Sequence, residues 1–161
     1  MLNTPVPNVS RRGVPFSHYG WKASRFNTLH AVMRSKTGFP DKDHWIDAPV
    51  KDVEHKLKEL GRFDSYDCSF EFAIHSVKEG LNKTEALFYL IRNGFAHGGF
   101  SKSRYKNEYF YAFENRQGST LKGRAVLREA TLLAWKEAVT SGFNKKIELA
   151  DRPIEPVHID V

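Results

Sequence analysis

Between Asn82 and Gly99 the chain carries, in order, the start signal, the apolar stripe and the stop signal of one amphipathic helix. Asn82 and Glu85 have the offset of a capping box, in which an N-cap side chain and a carboxylate three residues on satisfy each other's orphan amides. Leu87, Leu90, Ile91 and Gly94 then recur at intervals of three and four, and Gly98-Gly99 provides residues that tolerate the left-handed conformation closing a helix. Such a segment requires neighbours that bury its stripe.

Apolar periodicity supplies them. Phe26, Leu29, Val32 and Met33, following Trp21, predict a first helix stopped by Thr37-Gly38-Phe39-Pro40. Asp41 to Asp47 reads as polar loop with the Trp45 ring docked on the body of the protein. Pro49 suits a first helical position, and Val50, Val53, Leu57 and Leu60 predict a second helix ending at Gly61. Asp64 and Ser65 are good caps ahead of Phe70, Ala73, Ile74, Val77 and Leu81, which read as a third helix with Gly80 near its end. The segment from Asn82 is then the fourth.

Beyond Gly99 the period changes to two. Tyr109, Tyr111 and Phe113 alternate with Phe110, Ala112 and Glu114, and after Gln117-Gly118-Ser119 the stretch from Leu121 to Val126 pairs back, a hairpin at about 108–127. Leu132, Trp135, Ala138 and Val139 describe a last helix from Glu129, closed by Gly142. The expected fold is mainly α, a four- to five-helix bundle with one β-hairpin inserted before the last helix. Residues 1–19, with Pro5, Pro7, Gly13, Pro15 and the pair Arg11-Arg12, read as an irregular arm; 20–142 as the helical domain; 143–161, with Pro153 and Pro156, as an extended tail.

A length of 161 residues suits one domain, and 40% apolar with 27% charged residues is ordinary globular usage. The net charge of +6 favours a polyanionic partner such as nucleic acid. The single cysteine, Cys68, cannot form an internal disulfide and reads as a buried filler in a reducing compartment. The longest apolar run, Ala86 to Ile91, is too short for a bilayer, and the N-terminus lacks a signal peptide's apolar block, so a cytoplasmic protein without membrane contact is expected. His18, His30, His44, His55, His75 and His158 are scattered at no ligand spacing, and Asp41, Asp43 and Asp47 fit a polar turn, so no metal is expected. Without a Gly-rich loop followed by Lys-Ser or Lys-Thr, an ATPase of that kind is excluded and no cofactor is implied.

The chemistry-bearing segment is Arg92-Asn93-Gly94-Phe95-Ala96-His97, at the end of the fourth helix. Arg can neutralise a phosphate and His can move a proton near neutral pH, a combination suited to cleaving a phosphodiester. At about 100° per residue, Asn93 and His97 lie roughly 40° apart, one turn from each other, whereas Arg92 lies about 140° around from His97. Joining the three needs a curled Arg stem, a distorted helix or a second copy, and Gly94, by permitting close helix approach, favours the second copy. In such a site His97 is the acid or base, Arg92 holds the phosphate and Asn93 orients it or the His97 ring. The competing reading is structural: Arg and His in last turns commonly cap carbonyls or pair with carboxylates. Lys102 and Arg104, in a predicted loop, and Arg116, Lys122 and Arg124, in the hairpin, make a basic, Tyr-rich surface suited to an RNA backbone.

The run Leu90-Ile91-Arg92-Asn93-Gly94-Phe95-Ala96-His97-Gly98, an Arg followed by a polar residue and then by His after four intervening positions, resembles the HEPN superfamily (higher eukaryotes and prokaryotes nucleotide-binding), in its plasmid and mobile-element branch. Phe113-Glu114-Asn115-Arg116 and Leu127-Arg128-Glu129 are similar to that branch as well, and the resemblance spans about residues 20–142. It implies a helical homodimer whose paired motifs line a cleft and a metal-independent endoribonuclease, with Arg92 and His97 catalytic and Asn93 supporting. It also implies a toxin or defence effector acting on RNA, with a cognate antitoxin or toxin as a further partner. The alternative it leaves open is a non-catalytic module that binds nucleic acid, a nucleotide or a partner protein.

Overall fold

The computed structural model describes residues 14–64 and 69–143. The expectations for Arg11-Arg12, Ser65, Cys68, His158 and the tail beyond Phe143 lie outside the described residues. Within them the chain forms helices α1 (Arg25–Ser35), α2 (Val50–Glu59), α3 (Lys83–His97) and α4 (Glu129–Thr140). Its strands are β1 (Trp45–Asp47), β2 (Phe72–His75), β3 (Phe100–Tyr105), β4 (Glu108–Gln117) and β5 (Thr120–Arg128). All five strands join one mixed sheet in the order β1-β2-β5-β4-β3, parallel between β1 and β2 and antiparallel elsewhere.

The fold is therefore mixed α/β, and the expectation of a mainly α bundle is overturned. The predicted third helix is the main error. Phe70, Ala73, Ile74 and Val77 fit a helical stripe, but Phe72 lies off it and is fully buried, as are Ala73 and Ile74. Four consecutive buried residues, Phe72 to His75, mark a strand covered on both faces, and over so short a run that pattern cannot be told from a helix by period.

Strand β1, a three-residue edge, lies in the predicted polar loop, with Trp45 buried as anticipated. Strand β3 replaces the predicted basic loop. All six of its residues are exposed, so it carries no alternation that sequence could reveal. It turns into β4 through Lys106 and Asn107, both at positive φ (45° and 66°), the backbone of a two-residue hairpin turn matched to strand twist.

The sheet is the middle of three layers, and strand alternation assigns its faces. Ala73, Tyr111, Phe113, Ala125 and Leu127 pack with Leu29, Met33, Leu87, Ile91, Trp135 and Val139, contributed by α1, α3 and α4. Phe72, Ile74, Phe110, Ala112, Leu121 and Val126 pack with Val53 and Leu57 of α2. Two indoles reach across the first layer: Trp21 Nε1 donates to the Val139 carbonyl and Trp135 Nε1 to the Met33 carbonyl, each at 2.9 Å. Phe16, ahead of α1 in a 3-10 turn (Phe16–Tyr19), is buried in the same layer.

Candidate functional site

Helix α3 starts as its sequence dictates. Asn82 Oδ1 accepts from the Thr84 and Glu85 amides, and Glu85 Oε2 accepts from the Asn82 amide, all at 3.0 Å. The helix runs unbroken to His97 and is closed by Gly98 at φ 70°.

Packing then divides the Arg92 to Gly99 segment between fold and site. Phe95 stacks among Phe100, Phe113 and Tyr111, with ring centroids 4.9, 5.0 and 6.0 Å away. Gly94 lies against Phe113, and a Cβ on Gly99 would come within 2.7 Å of the Glu114 carbonyl oxygen. Gly94 thus serves the contact between α3 and β4 of its own chain, and not the close approach of a second helix for which it was read. Arg92, Asn93 and His97 remain, with polar ends outside both apolar clusters.

Asn93 and His97 face a cavity of about 470 Å³ bounded by α3, the end of β2, the turn end of β4 and the start of β5. Tyr89 extends their stripe one turn back. The sheet side presents His75, Lys78, Arg116 and Lys122, with the amides of Asn115 and Gln117. With His97 this makes five basic side chains, and no Asp or Glu among the described residues lines the cavity. That balance suits an anion. Arg92 is not part of the wall: with α3 undistorted, the angular offset read from sequence persists.

Lys122 enters through a β-bulge. Asn115 pairs with Gly123 and Arg116 with Leu121, so Lys122 is the extra residue of β5, and its carbonyl accepts from Ser76 N at 2.8 Å. Bulges re-aim side chains in this way. Arg116 is held at the rim by Glu114 and by the Ser119 carbonyl, 3.3 Å away. The Asn93 side chain beside it, with the Lys78 and Arg92 charges nearby, holds the Tyr89 phenol below its usual range against the opposing effect of burial.

His75 is the group that sequence reasoning passed over. It is 1% exposed, its Nδ1 lies 3.3 Å from the Ser76 carbonyl, and its Nε2 has no hydrogen-bond partner among the described residues. A carbonyl only accepts, so Nδ1 carries the proton and Nε2 keeps its lone pair. Burial pushes the imidazole pKa down, against smaller raising effects from the Ser76 bond and Asp47, so the ring is neutral at pH 7. A buried nitrogen left without a partner costs about 1–3 kcal/mol.

The remaining candidates lie apart. Arg124 is 3% exposed and directed to the α2 face, donating to Glu114 Oε2 at 2.6 and 3.0 Å and to the Arg62 and Phe63 carbonyls at 2.8 and 2.5 Å; it is a structural clamp. Lys102 and Arg104 project from β3 beside Tyr109, at 4.1 and 5.9 Å from its ring centroid, and Lys102 also pairs with Glu129 at 3.2 Å. Neither reaches the cavity. Tyr89 was legible in principle, four residues before Asn93 on the same stripe; His75 was not, because its strand reads as helix.

Among the described residues no group of three or more His, Cys, Asp or Glu side chains could hold a metal ion, and no helix is long and apolar enough to cross a membrane. No protein-family model, curated protein or solved structure matches the chain.

Proposed function

We propose that the chain is a metal-independent endoribonuclease that cleaves RNA by attack of the 2′-hydroxyl, acting at the pocket between α3 and the sheet. The observation that carries this reading is the placement of Asn93 and His97 on one wall of a cavity lined with basic groups and free of carboxylates. The cations neutralise charge building on the phosphoryl oxygens, and His97, exposed at the helix end, exchanges a proton with a reacting oxygen. Asn93 orients the phosphate, and Arg92, on the neighbouring face of α3, holds an adjoining phosphate of the strand. Lys102 and Arg104 with Tyr109 would carry the strand beyond the pocket.

The similarity of the Arg92 to His97 segment to HEPN nucleases supports the substrate class and a cytoplasmic toxin or defence role. The helical fold implied by that similarity is not the fold found here, so the reading stands on the pocket. A homodimer belongs to the proposal only as a route by which a second copy's motif would approach the cleft.

The test is incubation of purified protein with RNA in EDTA. Products ending in 2′,3′-cyclic phosphate, absent with His97→Ala, support it; intact RNA, or equal cleavage by the variant, sinks it. The second reading, a non-catalytic module binding nucleic acid or a partner toxin or antitoxin, is favoured by the exposed cations and tyrosine of β3 and β4. It predicts RNA binding that survives His97→Ala, with overexpressed wild type no more harmful to growth than the variant.

A further inference from the structure

We propose that the substrate is unpaired RNA of about four nucleotides or more, and that a second site, on the exposed face of β3, holds it by stacking. The site starts at an open hollow of about 520 Å³ lined by Gly98, Gly99, Phe100 and Ser101 with Ala112 and Glu114 of β4, and runs along β3 to Tyr109. This rests on the ribonuclease reading of the pocket and adds the form of RNA that reaches it.

Register fixes the face. Phe100, Lys102 and Arg104 stand opposite Phe113, Tyr111 and Tyr109, and directly opposed residues share a side of the sheet. Tyr111 and Phe113 belong to the side on which α3 packs. Ala96, His97 and Gly98 are exposed, so a strand leaving the pocket passes over the end of α3 and meets Phe100. From Phe100 to Arg104 the strand then extends about 13 Å. Hollow and strand together take roughly three to four nucleotides, the low end of single-strand site sizes. Phe100 is 40% exposed and Tyr109 43%. Phe100 is braced by Phe95 and Tyr111, with ring centroids 4.9 and 6.3 Å away. Arg104 is steadied by Asn107 Oδ1 at 3.0 Å and pairs with no carboxylate among the described residues. Lys102 is paired with Glu129, but both side chains are 41% exposed, and a pair so open to water yields readily to a phosphate. Glu114, the carboxylate of the hollow, is already neutralised by Arg116 and Arg124.

Rings and cations interleaved on one face match a chain of bases and phosphates. A base in a duplex is already stacked and paired, so only an unpaired base offers these rings a free face. A second copy is the competing occupant of a free strand edge. An antiparallel two-fold pairing of β3 centred on Lys102 opposes Lys102 to itself, and one centred on Ser103 opposes Lys102 to Arg104; both set like charges face to face. An extended acidic segment would satisfy the cations and leave the rings without a partner.

The experiment measures, by fluorescence anisotropy in EDTA, the binding of oligouridylates two to eight nucleotides long whose 2′-hydroxyls are methylated to block cleavage. The full chain is compared as wild type, Phe100→Ser, Tyr109→Ser, Tyr109→Phe and Lys102→Met, with a blunt RNA duplex as competitor. Wild-type affinity should climb with length to about four nucleotides and then flatten, and the duplex should compete poorly. Each Ser variant should lose about 5–100-fold on the longer oligonucleotides, and Tyr109→Phe should bind like wild type. Lys102→Met should lower the slope of log affinity against log salt by about 0.7. If Tyr109→Ser binds as wild type does, or affinity stops rising after two nucleotides, the proposal is overturned, and the ribonuclease reading survives wherever unmodified RNA is still cleaved. If binding follows the expectation but unmodified oligouridylate stays intact, the stacking site stands and the ribonuclease reading falls. Polyglutamate binding in place of RNA, or a wild-type dimer that Tyr109→Ser dissolves, assigns the face to a protein and overturns the proposal. Should Phe100→Ser fail to fold, Tyr109→Ser decides.

Discussion

Gly94 of α3 sits so close to Phe113 of β4 that a Cβ at position 94 would lie 2.8 Å from the ring and 3.2 Å from the Gly99 carbonyl oxygen. Helix and sheet meet here without a spacer. Gly94→Ala gains about 1 kcal/mol of helix propensity but pushes α3 off β4, and overpacking of this kind costs about 1–3 kcal/mol. The expected net change is destabilising. Urea unfolding checks it, and adding Phe113→Leu should recover part of the loss.

Arg124 joins the strand pair β4–β5 to the residues that follow α2, through Glu114 and the Arg62 and Phe63 carbonyls. Removing the guanidinium leaves the Arg62 and Phe63 carbonyls without this donor and Glu114 with Arg116 as its remaining cation in a place with little water. Arg124→Met should cost about 3–5 kcal/mol. Arg124→Lys should recover little, because an ammonium lacks the planar fork. Denaturation midpoints measure both, and a loss confined to RNA affinity with unchanged stability would return Arg124 to the binding surface.

His30 is buried against Trp45, with ring centroids 4.2 Å apart, and its Nδ1 lies 3.3 Å from Thr84 Oγ1. Burial, with Lys83 and Arg34 nearby, lowers its pKa to about 4. The unfolded chain takes up a proton at this histidine near pH 6.5 that the folded chain refuses until about pH 4, so stability falls as pH drops through that window. A shift of that size corresponds to about 3 kcal/mol at full effect. His75, shifted the same way, adds to the slope. His30→Gln should flatten the loss between pH 6.5 and 4 in urea titrations.

The two halves of the motif should separate kinetically. His97→Ala should lower kcat by about 10²–10⁴-fold. Arg92→Ala should mainly raise KM and reduce the slope of log affinity against log salt by about one. Equal falls in kcat for both, with activity restored on mixing the two inactive variants, would place Arg92 in a site shared between chains.

The helices were legible because their signals are local. The Asn82 and Glu85 capping box, the stripe from Leu87 to Gly94 and the Gly98 stop are all read within one element, and α3 matches them. Strand β2 was not, since burial on both faces removes alternation, and β3 was not, since exposure on both faces removes it too. The same limits divided the site. Asn93 and His97 were found as a helix pair, while His75 and Lys122 join them only through strand pairing and a bulge. Neither leaves a trace in spacing.

The bulge at Lys122 also has an architectural consequence. Leu121 lies on the α2 side of the sheet, together with Val126, and an uninterrupted ladder would turn it to the side of α3. One inserted residue therefore keeps two incompatible phases of the same strand, one that fills an interior and one that lines a cavity. Deleting Lys122 would remove the charge and the bulge together, and Leu121 would join Gly123 in a regular ladder opposite Arg116 and Asn115.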